Sequence, residues 1–371
     1  KALAYCESYF GIPYPLSKMD LIAVPDFAFA AMENWGAVTF RENLLLFYPG
    51  ITSRHGERRI CEVIAHEIVH MWFGNLVTPK DWKYLWLNES FATLFGFGIL
   101  DSYHPEWEIW DQFIYEETID ALGRDSMNNT FAIEIPGGEH VVINTSTAPI
   151  IYSKGGSILR HMRDYIGESS FKKGLHHYLK THAFGNTTTT DFWKALDETS
   201  DVPVVDIMKT WVEQPGHPLV IAEKKGNSLI LEQERFTHLK KAGISGDQVW
   251  HIPMTIRLFH EDNSYKDKNL LITSKKTELD LDSTVVSYKI NPGQTGFYRV
   301  QYKNKDNLHA LQDLIQGKKL SPRDRWGCEY DLYGLVSSCA IPSKEYLDFL
   351  EGYSHEDAYL PLMSIGEHLL H

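Results

Sequence analysis

The chain has 371 residues, a formal net charge of −13 and no block of basic residues. Its hydrophobic content of 43%, with 10 Trp and 19 Tyr, is typical of a globular protein and excludes a disordered one. The acidic balance argues against a nucleic-acid partner. No run of about 18 apolar residues is present, so the sequence predicts no membrane-spanning segment.

The four cysteines have neither a C-x-x-C motif nor a disulfide-like spacing. This pattern favours a reducing compartment and predicts a cytoplasmic location. No signal peptide is visible. The chain begins abruptly and stops inside a helical pattern, so we expect it to be a fragment of a longer protein. The oligomeric state is left open.

The first half of the chain predicts a short mixed segment followed by helices. Residues 1–10 predict the end of a helix, a strand is expected at Met19–Val24, and residues 31–47 predict an edge strand with a hairpin. A loop rich in Asn, Gly and Pro is expected at 125–150. The helices outside the motif described below are expected at 106–122, from 154 onward, and at 168–181, 188–200 and 203–213.

The second half of the chain changes character near residue 216. Alternating runs beyond that point predict about five to seven short strands, which is typical of a small β-sandwich. Helical patterns return from residue 305. We therefore predict a multidomain α+β protein with a first domain at 1–216, a β-sandwich at 217–304 and the beginning of an α-helical domain at 305–371.

The chemistry is concentrated in the motif H-E-x-x-H, formed by His66, Glu67 and His70. A spacing of four residues places both imidazoles on one face of a helix, about one turn apart. Such a helix is predicted because apolar residues recur at helical spacing over 60–68 and Gly74 is placed for a C-terminal cap. Imidazoles are good Zn²⁺ ligands, but a catalytic zinc needs a third protein ligand and a position left for water.

Glu89 is the candidate third ligand, with 18 residues between it and His70. It opens a second apolar helix, expected at 88–100, and antiparallel packing of the two helices would bring its carboxylate to the metal. H-E-x-x-H alone can occur by chance in a chain with 17 His. Glu89, the helical context and the nearby tryptophans favour a catalytic site with one Zn²⁺ per chain over a chance match.

Two other residues are weak candidates when each is taken alone. Glu33 lies beside the predicted edge strand, where a solvated turn residue is the simpler interpretation. Tyr152 lies just before a predicted helix start eased by glycine, where a packing residue is the simpler interpretation. The motifs that surround Glu33 and Tyr152, taken together, make a functional role for both residues the better interpretation.

Together these stretches closely resemble the gluzincin zinc aminopeptidases, of the aminopeptidase N, puromycin-sensitive and tricorn-interacting types. The family motif G-x-M-E-N is matched by AAMEN at residues 30–34, with Ala in place of the leading Gly. The zinc signature is matched in the setting WFGNLVT…LWLNESFA. The stretches INPGQTGFYRVQY (290–302) and LSPRDRWGCEYDLYGLV (320–336) extend the resemblance over nearly the whole chain.

The resemblance implies a zinc-dependent aminopeptidase that removes N-terminal residues from peptides. His66, His70 and Glu89 would bind the metal. Glu67 would be the general base toward the attacking water, and Tyr152 would donate a hydrogen bond to the developing oxyanion.

The same resemblance implies the residues that recognise the substrate. Glu33 would pair with the free α-ammonium group, and Ala31, Met32 and Asn34 would complete the substrate-binding stretch. Peptides with a free N-terminus are therefore the expected partners.

The resemblance also implies the fold. The domain at 1–216 would be a thermolysin-like zinc peptidase domain with a mixed sheet and helices. The family's N-terminal β-domain and most of its C-terminal α-domain would lie outside this chain. Two other functions remain open, namely a different zinc hydrolase on this scaffold, such as an epoxide hydrolase, and a catalytically silent binding protein.

Overall fold

The structure is a computed structural model that describes residues 1–135, 142–238 and 246–370. One compact unit comprises Lys1–Thr118 and Ile133–Val205, and a second comprises Ile119–Ala132 and Asp206–His371. Mixed sheets and many helices confirm the predicted α+β class. The division into three domains stays a prediction.

The helices up to residue 212 are α1 (Ala2–Phe10), α2 (Arg54–Val69), α3 (Trp86–Tyr103), α4 (Ile109–Phe113), α5 (Ile119–Asp125), α6 (Gly155–Ile166), α7 (Glu168–His182), α8 (Thr189–Asp197) and α9 (Val204–Val212). Among the described residues up to 212, two segments are π-helical, at Ile114–Thr118 and Pro149–Lys154. The strands are β1 (Asp20–Val24), β2 (Ala31–Met32), β3 (Ala37–Arg41), β4 (Val77–Pro79) and β5 (Gly185–Thr187).

The remaining strands are β6 (Pro218–Lys225), β7 (Ser228–Arg235), β8 (Ile252–His260), β9 (Tyr265–Ile272), β10 (Lys276–Asp280), β11 (Val285–Ile290) and β12 (Arg299–Tyr302). They form two sheets, with strand orders β10-β7-β6-β12 and β11-β8-β9. The helices that follow are α10 (Lys305–Gln316), α11 (Pro322–Ser337), α12 (Ser343–Leu350) and α13 (Tyr359–Leu370). Among the helices that the structure describes, none is long and apolar enough to cross a membrane.

A small three-stranded sheet in the first unit has the order β1-β3-β2. Strand β2 pairs antiparallel with β3, with Ala31 opposite Phe40 and Met32 opposite Thr39. This is the hairpin predicted from the sequence. Within this sheet β2 is an edge strand, and Glu33 follows it directly.

An aromatic core lies beneath α2 and α3. The rings of Phe73 and Phe91 stack at a centroid distance of 4.1 Å, and Phe10 meets Phe73 edge-on at 5.3 Å. Trp72 and Trp86 are buried beside them. Aromatic pairs of this kind each stabilise a fold by about 0.5–1.5 kcal/mol beyond the area they bury. The core therefore holds the two helices in a fixed relation.

Several element bounds differ from those predicted. Helix α2 begins at Arg54, because the Ser53 side chain caps it by accepting from the Gly56 amide at 3.1 Å. It ends at Val69, so the Gly74 cap prediction is wrong, and Gly74 lies in the following turns with φ 128°. The helix predicted at 106–122 is interrupted by the first π-helical segment. Residues 136–141 of the predicted loop at 125–150 lie outside the described residues.

Candidate active site

A cavity of about 1030 Å³ opens in the first unit. Helices α2 and α3, strand β2 and the π-helical segment at Pro149–Lys154 each contribute to its lining. The lining residues predicted from the sequence are Ala31, Met32, Glu33, His66, Glu67, His70, Glu89 and Tyr152. Asn34 instead directs its side-chain amide to the Thr39 hydroxyl, at 3.2 Å.

The packing of α3 on α2 brings Glu89 to the two histidines. Glu89 Oε2 lies 3.4 Å from His66 Nε2 and 3.4 Å from His70 Nε2. The two imidazole centroids are 4.8 Å apart. The three candidate ligand atoms thus lie within 4.8 Å of one another, with His70 and Glu89 buried.

This donor set fits a zinc ion. Nitrogen and carboxylate ligands lie about 2.0–2.2 Å from Zn²⁺, and at tetrahedral angles such ligands are about 3.4 Å apart. The two measured nitrogen–oxygen distances have this value. Two imidazoles and one carboxylate are also the ligand types found at catalytic zinc.

The ring of His70 is oriented by a second contact. Its Nδ1 lies 3.0 Å from the carbonyl oxygen of Phe73, in the turn after α2. A carbonyl can only accept, so Nδ1–H donates and Nε2 is left facing Glu89. Metal-binding histidines are commonly oriented in this way.

Burial and mutual charge act on these groups in opposite directions. Burial lowers the pKa of His66 below its ordinary value. Burial also lowers the pKa of His70, but the carboxylates of Glu89, Glu33 and Glu67 outweigh it and raise that pKa to about 10. For Glu89, burial raises the pKa, but the facing imidazoles hold it well below its usual range. A metal ion therefore competes with a proton for this pair.

Glu67 lies next to one candidate ligand and outside the set of three. Its side chain is only 5% exposed, and its Oε2 atom has no hydrogen-bond partner among the residues that the structure describes. Burial raises its pKa to about 8, against the opposing effect of His70. A buried carboxylate oxygen without a partner calls for an explanation, and a catalytic role or a bound water or ion is one.

Glu33 converges on the same region from strand β2. Single ligand atoms of Glu33, Glu67 and His70 lie within 4.8 Å of one another. The Glu33 backbone is held in place, because its carbonyl accepts a hydrogen bond of 2.8 Å from the Asn75 side chain. Glu33 therefore lies in the cavity beside Glu67 and His70, and its role there stays a prediction.

Tyr152 lies just before helix α6, as the sequence predicted, and it belongs to the second π-helical segment, which the sequence did not predict. Its ring stacks on the imidazole of His66 at a centroid distance of 6.0 Å. Burial raises the pKa of its hydroxyl, and the charges of Glu89, Glu33 and Glu67 raise it further. The phenol therefore stays protonated and available as a donor.

Two side chains that the sequence did not single out hold the segment around Tyr152. The Ser90 hydroxyl donates to the carbonyl oxygen of Ile151 at 2.6 Å, and the Ser153 hydroxyl donates to Glu117 Oε2 at 2.6 Å. Both contacts join positions far apart in the chain, so helical spacing could not reveal them. Ser90 is visible in the sequence next to Glu89, but nothing in the sequence indicates that its hydroxyl contacts Ile151.

Comparison with known proteins identifies the family. Residues 1–211 match the peptidase family M1 domain, and residues 287–371 match the ERAP1-like C-terminal domain. The chain is 39% identical over 360 residues to probable aminopeptidase 2 of Sulfurisphaera tokodaii. It is 38% identical over 376 residues to the tricorn protease-interacting factor F2 of Thermoplasma volcanium, and 38% identical over 382 residues to aminopeptidase M1 of Arabidopsis thaliana.

These alignments cover 97%, 100% and 98% of this chain, and 44%, 45% and 42% of the respective relatives. The chain belongs to peptidase family M1, which confirms the resemblance seen in its motifs. It spans less than half the length of the curated relatives that it matches.

The close contact between Gly155 and Ser90 gives a prediction. A Cβ atom at Gly155 would lie 1.9 Å from Ser90 Oγ and 2.8 Å from Ser90 Cβ. We expect Gly155→Ala to lower the free energy of unfolding by about 1–3 kcal/mol, because overpacking a tight contact forces the helices apart. The measurement is a urea denaturation curve followed by tryptophan fluorescence.

Gly98→Ala in α3 is the matched control, since the nearest atom to its added Cβ would be the Tyr5 hydroxyl at 3.8 Å. This variant should not lose stability. Ser90→Gly should partly rescue Gly155→Ala by removing both clashing atoms. Equal stability of Gly155→Ala and wild type would refute the packing argument.

Proposed function

We propose that this chain carries the active site of a zinc-dependent aminopeptidase. The observation that carries the proposal is the convergence of Glu33 with Glu67 and His70, in the cavity that the His66, His70 and Glu89 donors also line. A carboxylate beside the reacting centre distinguishes a site for free N-termini from a general hydrolytic site. The aminopeptidase names of several relatives support the same reading.

His66, His70 and Glu89 would hold the ion. When bound, zinc supplies Lewis-acid chemistry, which acidifies water from a pKa of 15.7 toward about 7 and polarises the scissile carbonyl. All three donors line the cavity, so a metal held by them would be within reach of water and the substrate.

Glu67 acts as the general base in this proposal. Its unpartnered Oε2 atom accepts a proton from the attacking water and then delivers it to the nitrogen of the leaving amine. The Tyr152 hydroxyl donates a hydrogen bond to the carbonyl oxygen as negative charge develops there. Ser90 and Ser153 position Tyr152 through the residues on either side of it.

Glu33 binds the α-ammonium group of the substrate. At a separation of ~4 Å and an effective dielectric near 20, such a pair has a Coulomb energy of roughly 4 kcal/mol before desolvation is subtracted. Ala31 and Met32 belong to an edge strand of the small sheet, to which an extended substrate backbone can add by strand pairing. The amine and the backbone contacts together place the first peptide bond at the reacting centre.

We further propose a cytoplasmic location, which rests on the cysteine spacing described above. Peptides with free N-termini are the proposed substrates.

One prediction distinguishes the proposed general base, Glu67, from the proposed metal ligands. Glu67→Gln should retain zinc and lose turnover by about 10²–10⁴-fold or more, because it removes the proton acceptor but no metal ligand. Glu89→Ala should instead lose zinc, because two imidazoles alone do not hold the ion tightly. Metal content by mass spectrometry and kcat on an aminoacyl amide measure the two effects. Zinc lost from Glu67→Gln, or retained at wild-type affinity by Glu89→Ala, would reverse the assignments.

The second prediction concerns the hydroxyl of Tyr152. Tyr152→Phe should lower kcat by about 10²–10³-fold with little change in KM, because one oxyanion donor is lost and little volume changes. Tyr178→Phe is the matched control, since Tyr178 is a buried tyrosine whose hydroxyl contacts Thr187 in the core. That control should lose some stability but keep its kcat. A wild-type kcat in Tyr152→Phe would return Tyr152 to a packing role.

The third prediction tests the proposed function itself with fluorogenic aminoacyl amides, free or N-acetylated, on the full-length protein. Free amides should be hydrolysed and acetylated ones poorly, because the α-amine, with a pKa of about 7.7–8.0, is largely protonated at neutral pH and pairs with Glu33. A zinc chelator should abolish the activity. Glu33→Gln should remove most of the discrimination, with KM and kcat both affected because a misplaced amine also misplaces the carbonyl.

Equal hydrolysis of free and acetylated substrates by the wild type would leave a zinc peptidase without exopeptidase specificity. Bound zinc without turnover of any aminoacyl substrate would instead favour a catalytically silent binding protein.

A further inference from the structure

Phe184, between helix α7 and strand β5, has two features that packing into a core does not explain. Its backbone has φ 62°, in the left-handed region that a large side chain rarely adopts. The residue is also 74% exposed, so burial of the ring does not offset the strain. Strained residues of this kind persist only where the surrounding contacts hold them, and they are frequent at functional sites.

The contacts of Phe184 show what holds it. Its ring stacks on the indole of Trp35, with the centroids 6.0 Å apart and the planes at 26°. Its backbone N–H donates to the carbonyl oxygen of Leu76 at 2.7 Å. Strand β5, which begins at the next residue, pairs parallel with β4. The turn after α2 and strand β4 thus fix the backbone of Phe184 in the conformation that places its ring on Trp35.

Trp35 links this contact to Glu33, because it lies two residues beyond Glu33 in the chain. The indole nitrogen of Trp35 is buried and has no hydrogen-bond partner among the described residues. Ring packing, and not a hydrogen bond of the indole, therefore holds this side chain, and Phe184 supplies a stacked ring. A displacement of Trp35 would reach Glu33 through a single intervening residue.

The turn after α2 also holds the Glu33 segment directly. The Asn75 side chain donates to the Glu33 carbonyl oxygen at 2.8 Å, and the Asn75 N–H donates to the carbonyl oxygen of His70 at 3.0 Å. Leu76, which accepts the hydrogen bond described above, is the next residue. One turn thus sets the position of Glu33 relative to His70 along two paths, one direct and one through the stacked rings.

We propose that Phe184 is a positioning residue for recognition of the substrate's α-ammonium group. Its ring, held by a strained backbone, fixes the segment that bears Glu33 relative to the helix that bears the histidines. The inference rests on the proposed function, in which Glu33 pairs with the amine. Glycine, the residue that favours a positive φ, would remove the strain but has no ring to stack on Trp35.

Phe184→Gly therefore separates stability from specificity. Relief of the strain should offset the lost ring contact, so the variant should unfold at a temperature close to that of the wild type. Its kcat/KM for free aminoacyl amides should fall by about tenfold to a hundredfold, because a misplaced amine also misplaces the scissile carbonyl. The slow hydrolysis of N-acetylated amides should not change. All measurements use the full-length protein.

Phe184→Tyr is the conservative variant, and it should retain the wild-type discrimination because it keeps the ring. Glu108→Gly is the matched control, since Glu108 is another exposed residue at positive φ, here 49°, and is not among the described residues that line the cavity. This control should leave both rates unchanged. Trp35→Leu should reproduce the effect of Phe184→Gly, and the double variant should be no worse than either single variant.

Hydrogen exchange measured by mass spectrometry tests the positioning without any substrate. Peptides that contain residues 31–36 should exchange faster in Phe184→Gly than in the wild type, and the Glu108→Gly control should not differ from the wild type. Unchanged exchange in these peptides would overturn the inference. An equal loss of activity on free and acetylated substrates would also overturn it.

The two proposals fail in different ways. Faster exchange of residues 31–36 in Phe184→Gly, together with a wild type that does not discriminate between free and acetylated substrates, would uphold the contact and refute the aminopeptidase proposal. A wild type that discriminates, with its discrimination intact in Phe184→Gly, would uphold the aminopeptidase proposal and refute the positioning role of Phe184.

Discussion

Helix α2 packs against helix α3 so that one carboxylate oxygen of Glu89 lies 3.4 Å from both histidine Nε2 atoms. The two helices are separated by a connection that contains turns, strand β4 and a 3₁₀ segment, so nothing local fixes this distance. The aromatic core beneath the two helices fixes this distance. Phe73 leaves the turn after α2 and stacks on Phe91 of α3, two residues beyond Glu89. The carbonyl of the same Phe73 orients His70. One residue thus links the packing of the helices to the chemistry of the site.

Two consecutive residues of α3 contact the two parts of the site, namely the histidine pair and the segment around Tyr152. Glu89 faces the histidines, and Ser90, rotated by about 100° around the helix axis, faces the carbonyl of Ile151. Gly155 lies against Ser90 with no room for a side chain. The position of Tyr152 relative to the proposed metal is therefore set through one helix. Tyr152 lines the cavity from within a π-helical segment, a type of helix that is frequent at functional sites.

The parts of the site that depend on local spacing could be predicted from the sequence. His66 and His70 are one helical turn apart, and this spacing alone placed their imidazoles on one face. Glu89 required a further assumption about helix packing, which the distances support. Glu33 and Tyr152 could be singled out only through the family motifs, because each reaches the cavity from a separate segment.

The hydrogen bonds that hold the segment around Tyr152 could not be predicted from the sequence. Ser90 and Ile151 are 61 positions apart, and Ser153 and Glu117 are 36 apart. Both π-helical segments were predicted as ordinary helix or as the approach to one, since a single extra residue per turn does not alter composition or periodicity enough to be detected. The strand-rich character of residues 218–302 could be predicted because alternation is a local signal. The partition of the described strands β6–β12 between two sheets depends on long-range pairing, which the alternating pattern does not predict.

The concentration of carboxylates at the cavity has a structural cost that the rest of the unit must offset. Leaving a buried acceptor such as Glu67 Oε2 without a partner costs about 1–3 kcal/mol, and more when the group is charged. The edge-on contact of Phe10 with Phe73 and the stacked contact of Phe73 with Phe91 are each worth about 0.5–1.5 kcal/mol beyond burial, and together they are comparable to the cost of one neutral unpaired acceptor. The helix that carries Glu67 therefore does not need its polar face to be satisfied in order to stay folded. That freedom allows Glu67 Oε2 to remain without a hydrogen-bond partner among the described residues, as the proposed role of Glu67 as general base requires.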